Sequence, residues 1–147
     1  RTPMQWTDDE NAGFTDGTPW LAMNPNYRQI NVREQEARTD SVLAYYRRLV
    51  HLRKADAYRE TFTYGIFEPA YQEMADVFAY YRVSRESGQR ILVAANFGTD
   101  AVSLTLAYPC RQVLLSNLRA ESAVETACEK ANALTLGSCE VAVIELG

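Results

Sequence analysis

Two hydrophobic periods divide the chain. In the first sixty residues the sustained pattern has three- and four-residue spacing. Val42, Tyr45, Tyr46, Leu49, Leu52 and Arg53 fall on one face of a helix predicted over 41–54, with Thr39 or Asp40 as its cap. Asn31-Val-Arg-Glu34 pairs a cap residue with a glutamate three positions on, which predicts a short helix over 31–37. From about Thr61 the period becomes two. Strands are predicted over 61–67, 77–83, 90–97, 102–106, 111–115, 133–136 and 140–146, all rich in Val, Ile, Leu, Tyr and Phe. Ser84-Arg-Glu-Ser-Gly88 reads as a hairpin loop, Phe97-Gly-Thr-Asp100 and Tyr108-Pro109 as turns, and 117–130 as either a loop or a short helical excursion. Strands this short and this evenly spaced predict an antiparallel sandwich or barrel of about 85 residues.

Residues 1–25 carry no period at all. Pro3, Gly13, Gly17, Pro19 and Pro25 punctuate them, yet Arg1, Met4, Trp6, Phe14 and Trp20 lie among these turn formers. Loops are ordinarily polar, and one this rich in rings suits a binding site. A guanidinium among rings matches a ligand with hydroxyls and flat apolar faces, since the arginine offers donors in a fixed fork and the rings offer stacking area. The plainer reading is packing of these aromatics against a neighbouring domain. One amphipathic helix cannot bury its own stripe, and a long structureless loop is unusual within a compact domain. The first half, 1–57, is therefore expected to belong to a larger body, with an all-β domain over 58–147.

Composition narrows the function. The 147 residues are 47% hydrophobic and 23% charged, with a net charge of −4 spread along the chain. That is a globular composition and argues against nucleic acid or an anionic membrane surface as partner. No apolar run approaches a membrane span. The chain opens at Arg1 without methionine or signal peptide, so a fragment or processed product is expected. Cys110, Cys128 and Cys139 are odd in number and lack metal-ligand spacing, which predicts buried or semi-buried free thiols, a reducing cytoplasm and no zinc site. His51, the single histidine, lies within the basic half of the 41–54 helix and is expected to be exposed or locally satisfied. Asp8-Asp9-Glu10 is expected to be a solvated run without a catalytic role, because glycosidase carboxyls must face each other across a cleft. No cofactor is expected.

Arg-Thr-Pro-Met-Gln-Trp, Asn-Ala-Gly-Phe-Thr, Pro-Trp, Asn-Pro-Asn-Tyr and Ile-Asn-Val follow in that order over 1–32. Together they resemble the oligo-1,6-glucosidase and α-glucosidase branch of the α-amylase superfamily. Tyr45-Tyr-Arg, Leu52-Arg-Lys, Tyr64-Gly, the 77–82 strand and Leu92-Val-Ala-Ala-Asn-Phe97 continue the likeness to about Leu106. Five ordered motifs in about thirty residues are far more specific than any one alone. The resemblance implies the tail of a (β/α)8 barrel followed by a small antiparallel β-sandwich, with the aromatic loop at the end of the barrel where such enzymes place their sites. It implies retaining hydrolysis of terminal α-linked glucose from short oligosaccharides of the isomaltose or maltose type, by a carboxylate nucleophile and an acid about 5 Å apart. Those carboxyls lie upstream in family members, so this chain has no catalytic residue of its own, needs the missing N-terminal barrel, and is expected to be inactive alone. Arg1, which opens the first motif, is implied to bind sugar hydroxyls in the terminal glucose pocket, whereas Gln5, Trp6, Asn11 and Phe14 are implied to support the loop. Thr7 stands where family members usually have aspartate. Trehalose-6-phosphate hydrolase and sucrose-isomerising enzymes share these motifs and remain alternatives. A non-catalytic β-domain that binds carbohydrate or a partner is the other reading, and the absence of tryptophan from the strands weighs against it.

Overall fold

Local capping chemistry sets the helices in the computed structural model, which describes residues 1–119 and 132–147. The chain divides into two compact units, Arg1–Arg48 and Leu49–Gly147. In the first, α1 (Val32–Glu36) begins as the sequence predicts: buried Asn31 is its N-cap, and Asn31 Oδ1 accepts from the Glu34 N–H at 2.9 Å. The helix α2 (Val42–Lys54) also forms, but its cap is neither Thr39 nor Asp40. Ser41 Oγ accepts from the Ala44 N–H at 3.1 Å, while Asp40 is held by Arg38. The apolar stripe of α2 is largely uncovered: Val42 and Tyr46 are exposed, and no residue of the helix is buried. His51 is exposed in its last turns, beside Arg53 and Lys54, where the negative end of the helix dipole favours positive charge.

The second unit corrects the first predicted strand. Residues 56–64 are a helix, α3 (Asp56–Tyr64), and β1 follows at Ile66–Ala70. The alternation over 61–67 misleads because Thr61 and Phe62 are adjacent, both buried, and share a helical face with Tyr58. Gly65 ends the helix because space forbids a side chain there. A Cβ would lie 2.4 Å from the Thr61 carbonyl oxygen and 2.9 Å from that of Val83. The remaining strands appear close to their predicted ranges: β2 (Val77–Val83), β3 (Arg90–Asn96), β4 (Val102–Thr105), β5 (Cys110–Ser116), β6 (Ala133–Leu136) and β7 (Val141–Leu146). The hairpin loop at 84–88 also forms. Ser84 Oγ accepts from the Glu86 and Ser87 N–H groups, and Gly88 takes the left-handed φ of 72° that closes it. The ambiguous stretch 117–130 falls mostly at 120–131, outside the described residues.

Among the described residues all the strand pairs are antiparallel. One sheet runs β1-β2-β3-β7-β5 and the other pairs β4 with β6. Both contribute to one core, in which Leu92, Ile144 and Val113 of the large sheet meet Leu104, Leu134 and Leu136 of the small one. Each such side chain withdrawn from water contributes about 1.5–3 kcal/mol. β7 lies between β3 and β5, so Ala142 to Leu146 are buried without alternation, as expected of a strand covered on both faces.

Buried polar groups tie these elements together. Asn96 donates from Nδ2 to the Asp100 and Gly137 carbonyls, both at 2.8 Å, and accepts from the Gly98 N–H at 2.9 Å. Glu140 accepts from Ser116 Oγ at 2.8 Å, Arg119 Nε at 2.6 Å and the Gly137 N–H at 2.7 Å. Glu145 accepts from Gln112 at 2.8 Å, Gln89 at 3.0 Å and the Tyr58 hydroxyl at 3.3 Å, which pins α3 to the sheet. The cysteines differ from expectation. Cys110 is disulfide-bonded, Cys139 is a free exposed thiol, and Cys128 is outside the described residues. An odd count does not separate three thiols from one bridge and one thiol, and the bridge removes the free-thiol argument for a reducing compartment. No helix among the described residues is long and apolar enough to cross a membrane.

Candidate functional site: the aromatic loop

The site predicted from sequence lies in the first unit, and backbone hydrogen bonds shape it. Gln5 and Trp6 run alongside the start of α1. The Gln5 carbonyl accepts from the Val32 N–H at 2.9 Å and the Trp6 carbonyl from the Arg33 N–H at 3.0 Å. A helix leaves its first N–H groups without partners. Here the loop satisfies two of them and the Asn31 cap a third, so loop and helix fix each other. The Gln5 side chain adds a second tie, donating to Asn26 Oδ1 at 3.1 Å and to the Ile30 carbonyl.

The loop then reverses through a strained turn. Asn11, Ala12 and Gly13 take positive φ in succession, at 52°, 55° and 64°. Left-handed backbone costs about 1–2 kcal/mol for a residue with a Cβ, less for asparagine and nothing for glycine. Packing and hydrogen bonds offset that cost. Ala12 is fully buried, and its carbonyl accepts from the Trp6 and Thr7 N–H groups at 2.9 and 3.0 Å. Asn11 Nδ2 donates to the Gly17 carbonyl at 3.0 Å and to that of Thr15 at 3.3 Å. Strain maintained in this way concentrates at functional loops.

Gln5 and Trp6 are thus bonded to the segment 26–33, and Asn11 separately to Thr15 and Gly17. The Phe14 N–H donates to the Asn11 carbonyl at 3.0 Å while its ring stays exposed. Trp6 and Trp20 are also exposed, at 48% and 85%. Arg1 is exposed at the head of the loop, and no hydrogen bond among the described residues ties it to the rest. Thr7 serves the loop locally: its Oγ1 accepts from the Asp9 N–H at 3.2 Å.

The acidic run has a structural partner. Arg33 reaches Asp8 at 2.8 Å and Asp9 at 2.7 Å, one arm to each. The Arg33 bond, with help from Thr7, holds Asp9 below the usual carboxylate range, and the Arg33 guanidinium is raised in turn, chiefly by Asp9. Two adjacent acids sharing one cation form a clamp and do not face each other across a cleft. Asn26 and Arg33 are what the sequence left hidden. They lie about twenty to twenty-five positions from the segment they hold, and the motif around Asn31 showed a helix cap without showing which loop the helix meets. Among the described residues no three His, Cys, Asp or Glu side chains gather as metal ligands.

Comparison with known proteins defines the class. The α-amylase catalytic-domain family matches residues 1–65, which hold the loop, α1, α2 and α3. The chain belongs to this α-amylase family of glycoside hydrolases. Within it, the relatives it resembles include 1,6-glucosidases and a trehalose-6-phosphate hydrolase. The glucan 1,6-α-glucosidase of Streptococcus pneumoniae is 39% identical over 125 residues, which cover 85% of this chain and 22% of that protein. The oligo-1,6-glucosidase of Bacillus cereus is 41% identical over 100 residues, or 68% of this chain and 17% of that protein. Among solved structures, the isomaltulose synthase of Klebsiella sp. LX3 superposes with a TM-score of 0.83 at 33% identity, covering 99% of this chain and 25% of that one. The chain therefore spans about a sixth to a quarter of the length of these relatives.

Proposed function

We propose that this chain is the C-terminal portion of a retaining, exo-acting α-glucosidase that removes terminal α-linked glucose from short oligosaccharides of the isomaltose type. On this reading residues 1–57 are the tail of a (β/α)8 barrel and 58–147 its β-sandwich domain. The observation that carries it is the loop itself: a strained, hydrogen-bonded segment at 5–14 carries the exposed rings of Trp6 and Phe14 and follows Arg1 in the part of the chain that the catalytic-domain family matches.

The roles follow from the chemistry. Arg1 donates to hydroxyls of the terminal glucose, and its fixed fork closes the pocket behind that ring, which favours terminal over internal cleavage. Gln5, Trp6, Asn11 and Phe14 hold the segment that positions it. The nucleophilic carboxylate and the acid belong to the rest of the protein. The nucleophile forms a glycosyl-enzyme as the acid protonates the leaving oxygen; water, deprotonated by that same residue, then releases glucose with its configuration retained.

The likeness to an isomaltulose synthase gives a second reading, isomerisation of sucrose. One experiment separates them. The longer enzyme is assayed on isomaltose, maltose, trehalose 6-phosphate and sucrose, with Arg1→Ala as the paired variant. The expected outcome is release of glucose from isomaltose and a roughly 10- to 100-fold fall in kcat/KM for the variant, the size of one charge-assisted hydrogen bond. Turnover of sucrose or trehalose 6-phosphate alone moves the enzyme to another branch. The 147-residue chain alone is expected to leave p-nitrophenyl α-glucoside uncleaved.

A further inference from the structure

Arg33 stands where local chemistry disfavours it. It is the second residue of α1, and the first turn of a helix favours acids over cations. Its partners come from the loop, 24 and 25 positions earlier in the chain. One arm of the guanidinium reaches Asp8 at 2.8 Å and the other Asp9 at 2.7 Å, while the Arg33 N–H donates to the Trp6 carbonyl at 3.0 Å. One residue therefore grips the loop on both sides of Thr7. The gripped segment is itself bonded to the left-handed turn at 11–13. Trp6 and Thr7 donate to the Ala12 carbonyl, Thr7 Oγ1 accepts from the Asp9 N–H at 3.2 Å, and a Cβ on Gly13 would lie 2.6 Å from that same oxygen. Asp8, Asp9 and Glu10 are three successive acids that repel one another, and the shared cation offsets the repulsion between the first two.

We infer that Arg33 is a positioning residue for substrate binding: its two arms hold the 6–9 segment on α1 and so keep the loop in the form that presents Arg1 to the terminal glucose. The inference rests on the functional reading above. The loop has two conditions, held and released, and substrate binds the held one. Without the clamp only a fraction of the enzyme is held, and the apparent affinity falls by that fraction. Saturating substrate gathers the loop back into the held form, so the turnover number is kept. Both ion pairs are exposed, which makes the clamp sensitive to salt. The two carboxylates also call for a fork, because an ammonium presents one point charge where the guanidinium presents two separate arms.

Steady-state kinetics of the longer enzyme on isomaltose test this. Arg33→Ala is expected to raise KM about tenfold and to leave kcat unchanged, whereas a residue that served stability alone would lower the melting temperature and leave KM in place. Wild-type KM should climb between about 0.05 and about 1 M sodium chloride, and that of Arg33→Ala should not. Arg33→Lys should recover part of the loss. Asp8→Asn with Asp9→Asn should match Arg33→Ala, and all three changes together should go no further, since they remove one interaction. An unchanged KM in an Arg33→Ala enzyme that cleaves isomaltose overturns the inference and leaves the functional reading intact. So does a triple variant in which the separate effects multiply, which marks independent contributions. A polypeptide that cleaves no α-glucoside sinks the functional reading, and hydroxyl-radical labelling of Trp6 and Phe14 then reads the clamp. Labelling that rises in Arg33→Ala keeps the hold on the loop; unchanged labelling overturns it.

Discussion

Replacing Asn31 tests the coupling of loop and helix. Its Oδ1 caps α1 through the Glu34 N–H at 2.9 Å, and its Nδ2 donates to the Tyr27 carbonyl at 2.9 Å, with the side chain only 4% exposed. Loss of an N-cap costs about 1 kcal/mol, and loss of the donor to a half-buried carbonyl about 1 kcal/mol more. Asn31→Ala removes both, for about 2 kcal/mol. Asn31→Ser keeps a capping oxygen but cannot reach Tyr27, for about 1 kcal/mol. The assay is urea unfolding followed by tryptophan fluorescence. Both tryptophans lie in the first unit, and the Trp6 carbonyl accepts from the first turn of the same helix. With a slope of about 1 kcal/mol per molar urea, the midpoint should fall by about 2 M in the alanine variant and about 1 M in the serine variant. A serine variant as damaged as the alanine variant would refute the split into two bonds. An unshifted alanine midpoint would refute the coupling altogether.

Three further outcomes are expected. Arg119→Ala strands the buried Glu140 carboxylate and should cost about 3–5 kcal/mol by denaturant unfolding; Arg119→Ala combined with Glu140→Gln should recover part of that loss, and no recovery would place the cost elsewhere. Burial raises Glu140 and Glu145, but their hydrogen bonds outweigh it, chiefly Arg119 for Glu140 and Gln112 and Gln89 for Glu145, so both titrate below the ordinary glutamate value of 4.5. Carboxyls lowered in the folded state stabilise it above their unfolded values, and the stability is lost as pH falls through the folded ones, so melting temperatures should drop below about pH 4.5 and drop less in Glu145→Gln. Gly13→Ala meets a left-handed φ of 64° and puts a Cβ 2.6 Å from Thr7 Oγ1; it should cost about 1–2 kcal/mol from the backbone alone, plus a clash that a Thr7→Ala background removes.

The sequence by itself determined the class of this protein and most of its local structure. Asn31 with Glu34, the α2 stripe and the Val-, Ile-, Leu- and Tyr-rich runs of β2, β3 and β7 are short-range patterns, and short-range physics reads them. The ordered motifs over 1–32 identified the family for the same reason, since they are contiguous. Tertiary structure decided whatever depends on residues far apart in the chain. It turned 56–64 into a helix because Tyr58 meets Glu145 and Thr61 meets Gln89, partners that no window of sequence contains. It paired Cys110 where composition could not choose between bridge and thiol. It held the loop through Asn26 and Arg33, and it assigned Asp8 and Asp9 to one guanidinium. Local propensity fixes which element a segment can form. Burial and hydrogen-bond satisfaction, which only the folded chain defines, fix which element it does form and what it holds in place.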